Sequence, residues 1–158
     1  MIFHRCEVVD IATGLASHPQ PLPSSRSRTC SSVFQFTLKP SGAQFTKLAT
    51  RPDEHETVLI ALVDGRLAGI CLLVLHEFEP LHDVSPWLAS LYVAPEYRKR
   101  GVTRRLVAAI EDQARSNGVA RLHLYTGDAE EFYLKCGWSL AEQGIADGEP
   151  YAFMIRDL

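Results

Sequence analysis

The stretch from Trp87 to Gly118 constrains the fold more than any other part of the chain. The apolar run Trp87-Leu-Ala-Ser-Leu-Tyr-Val93 reads as a buried strand and is stopped by Ala94-Pro95, because proline has no N–H with which to continue a ladder. Five cations follow within eight residues, Arg98, Lys99, Arg100, Arg104 and Arg105, with Gly101 among them. Beyond the glycine, Val102, Leu106, Ala109, Ile110 and Ala114 recur at three- and four-residue spacing, and Asn117-Gly118 supplies a left-handed stop, so an amphipathic helix is predicted between Gly101 and Asn117. A helix with one apolar stripe, fed directly by a strand, is expected to pack on a sheet in a mixed α/β domain.

The flanking segments supply that sheet. Thr57–Val63 and Leu67–Leu75 are apolar, β-prone runs joined at Asp64-Gly65, a dipeptide that signals a hairpin. Arg121–Tyr125 reads as a further strand, Asp128 as the cap of a short helix ending near Lys135, and Cys136-Gly137 as its stop. Two last strands, near Trp138–Glu142 and Tyr151–Arg156, flank the turn-forming 146–150. Residues 11–50 differ in kind, with no Asp or Glu, four of the nine prolines and seven serines. That composition predicts an irregular segment, with one short helix over 42–50.

Length and composition exclude several classes. At 158 residues the chain has room for about one domain, and 46% hydrophobic residues are enough for a core. Cys6, Cys30, Cys71 and Cys136 stand far apart, which argues against a zinc ribbon, a redox motif or a disulfide scaffold and makes a reducing cytoplasm the expected location. The longest run without a polar side chain, Leu67 to Leu75, is far short of the roughly 20 residues of a membrane span, so the protein is read as soluble with no membrane partner. His76-Glu77 and His82-Asp83 lack metal-site spacing, and no metal is expected.

The formal net charge is −3, so any site for an anion must be local. Outside the basic cluster, 11 cations face 19 acids. The cluster opens a helix, where unpaired backbone N–H groups and the positive end of the dipole attract anions and disfavour cations on their own account. A diphosphate is the natural ligand, with Gly101 allowing its oxygens close to the main chain and the flanking cations reaching further phosphates. The alternative is a solvated basic first turn. A nucleic-acid module is disfavoured, because no aromatic stacking platform is interleaved with the cations.

These residues carry a family resemblance. The segment Ser90-Leu-Tyr-Val-Ala-Pro-Glu-Tyr-Arg-Lys-Arg-Gly-Val-Thr-Arg-Arg-Leu106 resembles motif A of the GNAT superfamily of acetyl-CoA-dependent N-acetyltransferases, whose pyrophosphate loop reads Gln/Arg-x-x-Gly-x-Gly/Ala. Arg98, Gly101 and Thr103 fall on its fixed positions, Thr103 standing where the pattern has Gly or Ala. Glu131-Phe-Tyr-Leu-Lys-Cys-Gly-Trp138 resembles motif B, in which a Tyr on a short helix precedes a Gly-aromatic pair. Two motifs in the right order with a strand between them are stronger than either alone.

The resemblance implies an α+β GNAT-like domain over 1–158, with a mostly antiparallel mixed sheet, a central splay and flanking helices. Residues 57–158 form the recognisable acetyl-CoA-binding core and 1–56 a divergent N-terminal part. It implies that the strand holding Leu91, Tyr92 and Val93 splays from Arg121–Tyr125 to receive pantetheine on main-chain groups of Leu91 and Val93. Arg98, Lys99, Arg100, Gly101, Val102, Thr103 and Arg104 would hold the diphosphate. Tyr133 matches the position whose phenol donates to the departing thiolate, with Tyr125 and Tyr92 as alternatives.

The acceptor, a small-molecule or peptide amine, must lose a proton before it attacks. Glu77, Glu79, His82 and Asp83 precede the central strand and are the candidates for that base, Glu79 first among them. The residues do not exclude a homodimer. A non-catalytic acyl-CoA-binding or sensing domain is the rival reading.

Overall fold

Asp64 and Gly65 both take positive φ, 52° and 76°, the geometry of a two-residue turn whose twist matches that of antiparallel strands. This is the hairpin expected from the sequence, and it joins β2 (Thr57–Val63) to β3 (Arg66–Val74). The computed structural model describes residues 6–10, 56–76 and 81–158. In chain order the other elements are β1 (Cys6–Asp10), β4 (Trp87–Val93), a 3₁₀ turn (Pro95–Tyr97), α1 (Val102–Ser116), β5 (Arg121–Thr126), α2 (Glu130–Lys135), β6 (Ser139–Ala146) and β7 (Glu149–Asp157). The short helix expected over 42–50 lies outside the described residues.

The seven strands form one sheet in the order β1-β2-β3-β4-β5-β7-β6. Every neighbouring pair is antiparallel except β4 and β5, which run parallel. The mixed, mostly antiparallel sheet therefore matches expectation. The added β1 pairs with β2 from Cys6↔Val63 to Asp10↔Leu59. The last hairpin runs further toward its turn than its apolar signal, because Asp147 and Gly148, at φ 53° and 83°, turn the chain tightly enough for pairing to run up to Ala146↔Glu149.

Strand alternation sorts the core into two faces. Leu59, Ala61, Cys71, Leu73, Leu88, Leu122, Leu124 and Met154 face one side, where they meet Val102, Leu106, Val107, Ile110 and Ala114 of α1 together with Tyr133 and Trp138. The opposite face carries Val58, Leu72, Val74, Trp87, Ala89, Tyr151 and Phe153, with Tyr125 and Ile155 against them. The predicted apolar stripe of α1 is the buried one, extended by Val107 and by the buried carboxylate Glu111. The chain leaves α1 through Gly118 at φ 75°, with the Val119 N–H returning to the Ala114 carbonyl at 3.0 Å.

Candidate active site

The site begins at an irregularity in β4. Tyr92 pairs with Ile70 but Ala89 pairs with Leu72, so Ser90 and Leu91 together oppose the single residue Cys71. This two-against-one count is a β-bulge, and Ser90 takes it up with φ 49°, left-handed for a non-glycine residue. A bulge bends and twists its strand, and the consequence shows on the other edge of β4. Its parallel pairing with β5 consists of Trp87↔His123 alone, supported by the His123 N–H to the Pro86 carbonyl at 3.2 Å. Beyond that point the two strands part, which is the central splay.

The parted edge is polar main chain. The Ala94 N–H donates to the Ala68 carbonyl at 2.9 Å, on the β3 side. Because successive residues of a strand aim their N–H and C=O at opposite edges, those of Val93, and of Leu91 two residues before it, face β5 across the gap. Gly69 lets the strands approach here, since a Cβ would lie 2.7 Å from the Tyr92 carbonyl oxygen. Leu91 packs against the helix-side core, whereas the Tyr92 side chain is exposed.

The gap leads to the start of α1. Lys99 and Gly101 are both left-handed, at φ 59° and 81°, and fold the basic segment back on the strand end. The Arg105 N–H donates to the Gly101 carbonyl at 3.1 Å, the opening turn of the helix, and no side chain caps it. The amides of Val102, Thr103 and Arg104 thus precede the helical ladder, and the first turn holds no acid. A Cβ on Gly101 would meet nothing within 4 Å, so in the protein alone the glycine answers to backbone conformation. Arg98 Nε donates to the Val93 carbonyl at 3.0 Å and ties the loop to the end of β4.

Tyr133, on α2, packs into the helix-side core. It is 6% exposed, and burial, with the neighbouring Cys71 and Cys136 adding to it, pushes its phenol far above the usual range, so the hydroxyl stays protonated. The rest of the second motif holds α2 in place. Trp138 Nε1 donates to buried Glu111 Oε1 of α1 at 2.9 Å, and Arg156 Nη1 to the Gly137 carbonyl at 2.5 Å. Asp128 does not cap α2: Ala129 occupies the N-cap without a side-chain bond, and the Thr126 hydroxyl instead accepts the Ala129 N–H at 3.1 Å.

On the opposite face a polar network crosses the aromatic cluster. The Tyr125 hydroxyl is hydrogen-bonded to His82 Nδ1, His82 Nε2 lies 3.5 Å from Glu142 Oε2, and the Tyr151 hydroxyl donates to Glu142 Oε1 at 2.7 Å. His82 stacks on Phe153 with centroids 4.2 Å apart, and Tyr125 on Trp87 at 4.9 Å. The hydrogen bond from Tyr151, and then that from His82, hold the Glu142 carboxyl below its ordinary range. Burial raises the Tyr125 phenol.

Of the base candidates, the structure brings His82 into this network, while Glu77 and Glu79 lie outside the described residues. Sequence reasoning missed Glu142 and Tyr151 as partners, since nothing local links them to position 82. Among the described residues no group of three or more His, Cys, Asp or Glu could hold a metal ion, and no helix is long and apolar enough to cross a membrane.

Residues 25–138 match the acetyltransferase (GNAT) family, a span that starts well before the motif-bearing core. N-alpha-acetyltransferase 80 of Mus musculus is 44% identical over 59 residues, covering 36% of this chain and 19% of that protein, so the chain matches about a fifth of this relative's length. An aminoglycoside 6'-N-acetyltransferase complexed with coenzyme A has a similar structure, with a TM-score of 0.60, 19% identity, and 74% of this chain and 79% of that one covered. A putative streptothricin acetyltransferase from Bacillus anthracis in complex with acetyl coenzyme A aligns with a TM-score of 0.55, 18% identity, and 68% of this chain and 66% of that one covered. At those identities the two structures speak to the fold.

Proposed function

The chain belongs to the GNAT family of acetyltransferases, and from that premise we propose that it moves an acetyl group from acetyl-CoA to a primary amine by direct attack within a ternary complex. The observation that carries the reading is the continuity of β4's open edge with the uncapped start of α1. An extended chain of amides and a diphosphate, joined end to end, is the ligand such a surface fits. Acetyl-CoA supplies the activated acetyl group, and in the two solved structures named above the coenzyme or its acetylated form is bound.

The residues divide the work by position. The amides of Val102, Thr103 and Arg104 hold the diphosphate, with Lys99, Arg100 and the exposed Arg104 side chain supplying charge around it. Arg98 positions the loop through the Val93 carbonyl. The Leu91 and Val93 main chain binds the pantetheine amides and polarises the thioester carbonyl. Tyr133, kept neutral by burial, hydrogen-bonds the departing sulfur as charge develops on it. The acceptor is a small-molecule or peptide amine, acting in the cytoplasm.

The test is thiol release from acetyl-CoA with an amine panel, for wild type and Tyr133→Phe, beside calorimetry of acetyl-CoA binding. Amine-dependent release that falls about a hundredfold in Tyr133→Phe, with coenzyme affinity retained, is expected. Tight binding without turnover on any amine would refute catalysis and favour an acyl-CoA sensor.

A further inference from the structure

Resting on the assignment of Tyr133 to the departing sulfur, we propose that Glu111 is a positioning residue for acetyl transfer: its carboxylate, buried in α1, holds the Trp138 indole, and through it the Tyr133 phenol, in fixed relation to the helix end that binds the diphosphate. Three observations carry this. The first is the cost of the residue. Glu111 lies on the buried stripe of α1 with Val107, Ile110 and Ala114. A carboxylate taken out of water costs stability that its partners seldom return in full, and an apolar side chain of similar volume would serve the packing at least as well. Stability alone does not account for an acid here.

The second observation is how its bonds are shared. Glu111 Oε1 accepts the Trp138 Nε1–H at 2.9 Å, whereas Arg156 Nε stands 3.6 Å from the same oxygen and Arg115 Nη2 stands 3.7 Å from Oε2. Arg156 Nε is buried and has no hydrogen-bond partner among the described residues. The carboxylate thus gives its short bond to the indole, and the guanidinium groups only balance its charge. Arg156 is turned instead to the chain leaving α2, where its Nη1 donates to the Gly137 carbonyl at 2.5 Å, against a glycine whose Cβ would lie 2.5 Å from that nitrogen. That chain is therefore held at Gly137 from β7 and at Trp138 from α1.

The third observation is what the indole touches. Its ring meets the Tyr133 ring edge to face, with centroids 5.8 Å apart and planes inclined at 65°, and the Trp138 N–H donates to the Tyr133 carbonyl at 3.0 Å. Packing between the helices is interrupted beside this link by a groove of about 210 Å³, walled by Arg104, Val107 and Ala108 on one side and Lys135 and Cys136 on the other, with Glu111 also lining it. The carboxylate spans what apolar contact does not. Since a helix rises 1.5 Å per residue, the eight steps from Thr103 to Glu111 form a stiff spacer of about 12 Å. One end meets the diphosphate and the other sets the phenol, so a single helix fixes Tyr133 relative to the anchored coenzyme.

The full chain is assayed in single turnovers at saturating acetyl-CoA, with whichever of spermidine, tyramine and Ala-Ala-Ala wild type acetylates fastest. Glu111→Leu keeps a packed side chain and removes the acceptor; it should slow transfer about tenfold, short of the hundredfold that a misplacement of about 1 Å can cause, with acetyl-CoA affinity by calorimetry unchanged as the measure of folding. Glu111→Gln retains an oxygen for the indole N–H and should restore most of the rate. Because Glu111 acts through Tyr133, Glu111→Leu should cause no further slowing in a Tyr133→Phe background, whereas general loosening of the domain would slow both backgrounds alike. Should Glu111→Leu lose coenzyme binding, Trp138→Phe, which keeps a ring and removes the donor, is compared in the same two backgrounds with the same expectation.

The indole N–H resonance of Trp138, assigned by its absence in Trp138→Phe, reads the contact without turnover. It should be protected from exchange in wild type and Glu111→Gln and lose that protection in Glu111→Leu. Equal slowing in both backgrounds, an unslowed Glu111→Leu beside an impaired Tyr133→Phe, or protection that survives in Glu111→Leu overturns the positioning role and leaves acetyltransfer standing. Tyr133→Phe that transfers as fast as wild type overturns the role together with the assignment it rests on. Acetyl-CoA binding with no turnover of any panel amine overturns the acetyltransfer reading as well.

Discussion

Gly101 and Gly118 sit at the two ends of α1 and offer a controlled test of the anion site. Both are left-handed, at φ 81° and 75°, and at both a Cβ would meet nothing within 4 Å. Replacing either with Ala therefore adds no clash and the same backbone penalty, about 1–2 kcal/mol for an L-residue in that region. For a domain of this size a loss of 1 kcal/mol lowers Tm by about 2–4 °C, so Gly118→Ala should melt about 2–8 °C below wild type and Gly101→Ala should lose at most as much. They differ in what lies beside them: the uncapped amides and the basic loop adjoin Gly101, and the chain merely turns toward β5 at Gly118.

The strain at residue 101 is relieved if the loop rotates away from its left-handed conformation, and acetyl-CoA must then restore it on binding. Whatever part of the 1–2 kcal/mol the free loop relieves is missing from the Tm loss of Gly101→Ala and appears as weaker binding, up to roughly 5–30-fold if all of it is relieved. Gly118→Ala should leave affinity unchanged. Thermal unfolding by circular dichroism and calorimetric titration with acetyl-CoA measure the two effects on the same samples. A Tm loss in Gly101→Ala smaller than in Gly118→Ala with no matching loss of affinity, or equal weakening of both variants, would refute the assignment of the diphosphate to the turn at Gly101.

Three further outcomes follow from particular contacts. Trp138→Phe removes the donor to the buried Glu111 carboxylate, and a hydrogen bond to a charged group contributes about 1.5–3 kcal/mol, so Tm should drop by several degrees, with a smaller added loss in Trp138→Phe/Glu111→Gln than the single variants predict. Gly69→Ala drives a Cβ to 2.7 Å from the Tyr92 carbonyl oxygen; overpacking of about 1–3 kcal/mol should appear in urea unfolding, and displaced β4 should weaken acetyl-CoA binding in calorimetry. Burial lowers the His123 pKa, so the folded state favours neutral imidazole; the stability from this term is full above the unfolded value of about 6.5 and is lost as pH falls through it, and His123→Gln should flatten the decline in urea midpoint between pH 7.5 and 5.5.

What was legible in the sequence is what local pattern controls. The Asp64-Gly65 turn, the stripe from Val102 to Ala114 and the stop at Gly118 each depend on residues within one or two turns of one another, and each formed where expected. Asp128 failed as a cap because Thr126, at the end of β5, already supplies the oxygen that meets the chain entering α2.

The polar network on the opposite face of the sheet is of another kind. Tyr125 and His82 lie 43 positions apart, and they meet Glu142 and Tyr151 only because β7 inserts between β5 and β6, an order that alternation along a single strand does not encode. The bulge at Ser90 is equally silent, since no glycine marks a left-handed residue in the middle of an apolar run. A motif also locates a residue without stating which of its atoms acts. Arg98 occupies the loop's first fixed position, yet its Nε is spent on the Val93 carbonyl, at the place where the open edge of β4 becomes the basic turn. A guanidinium suits that place because its planar fork fixes the direction of the bond to the strand end, which a Lys, with one freely rotating point of charge, would not.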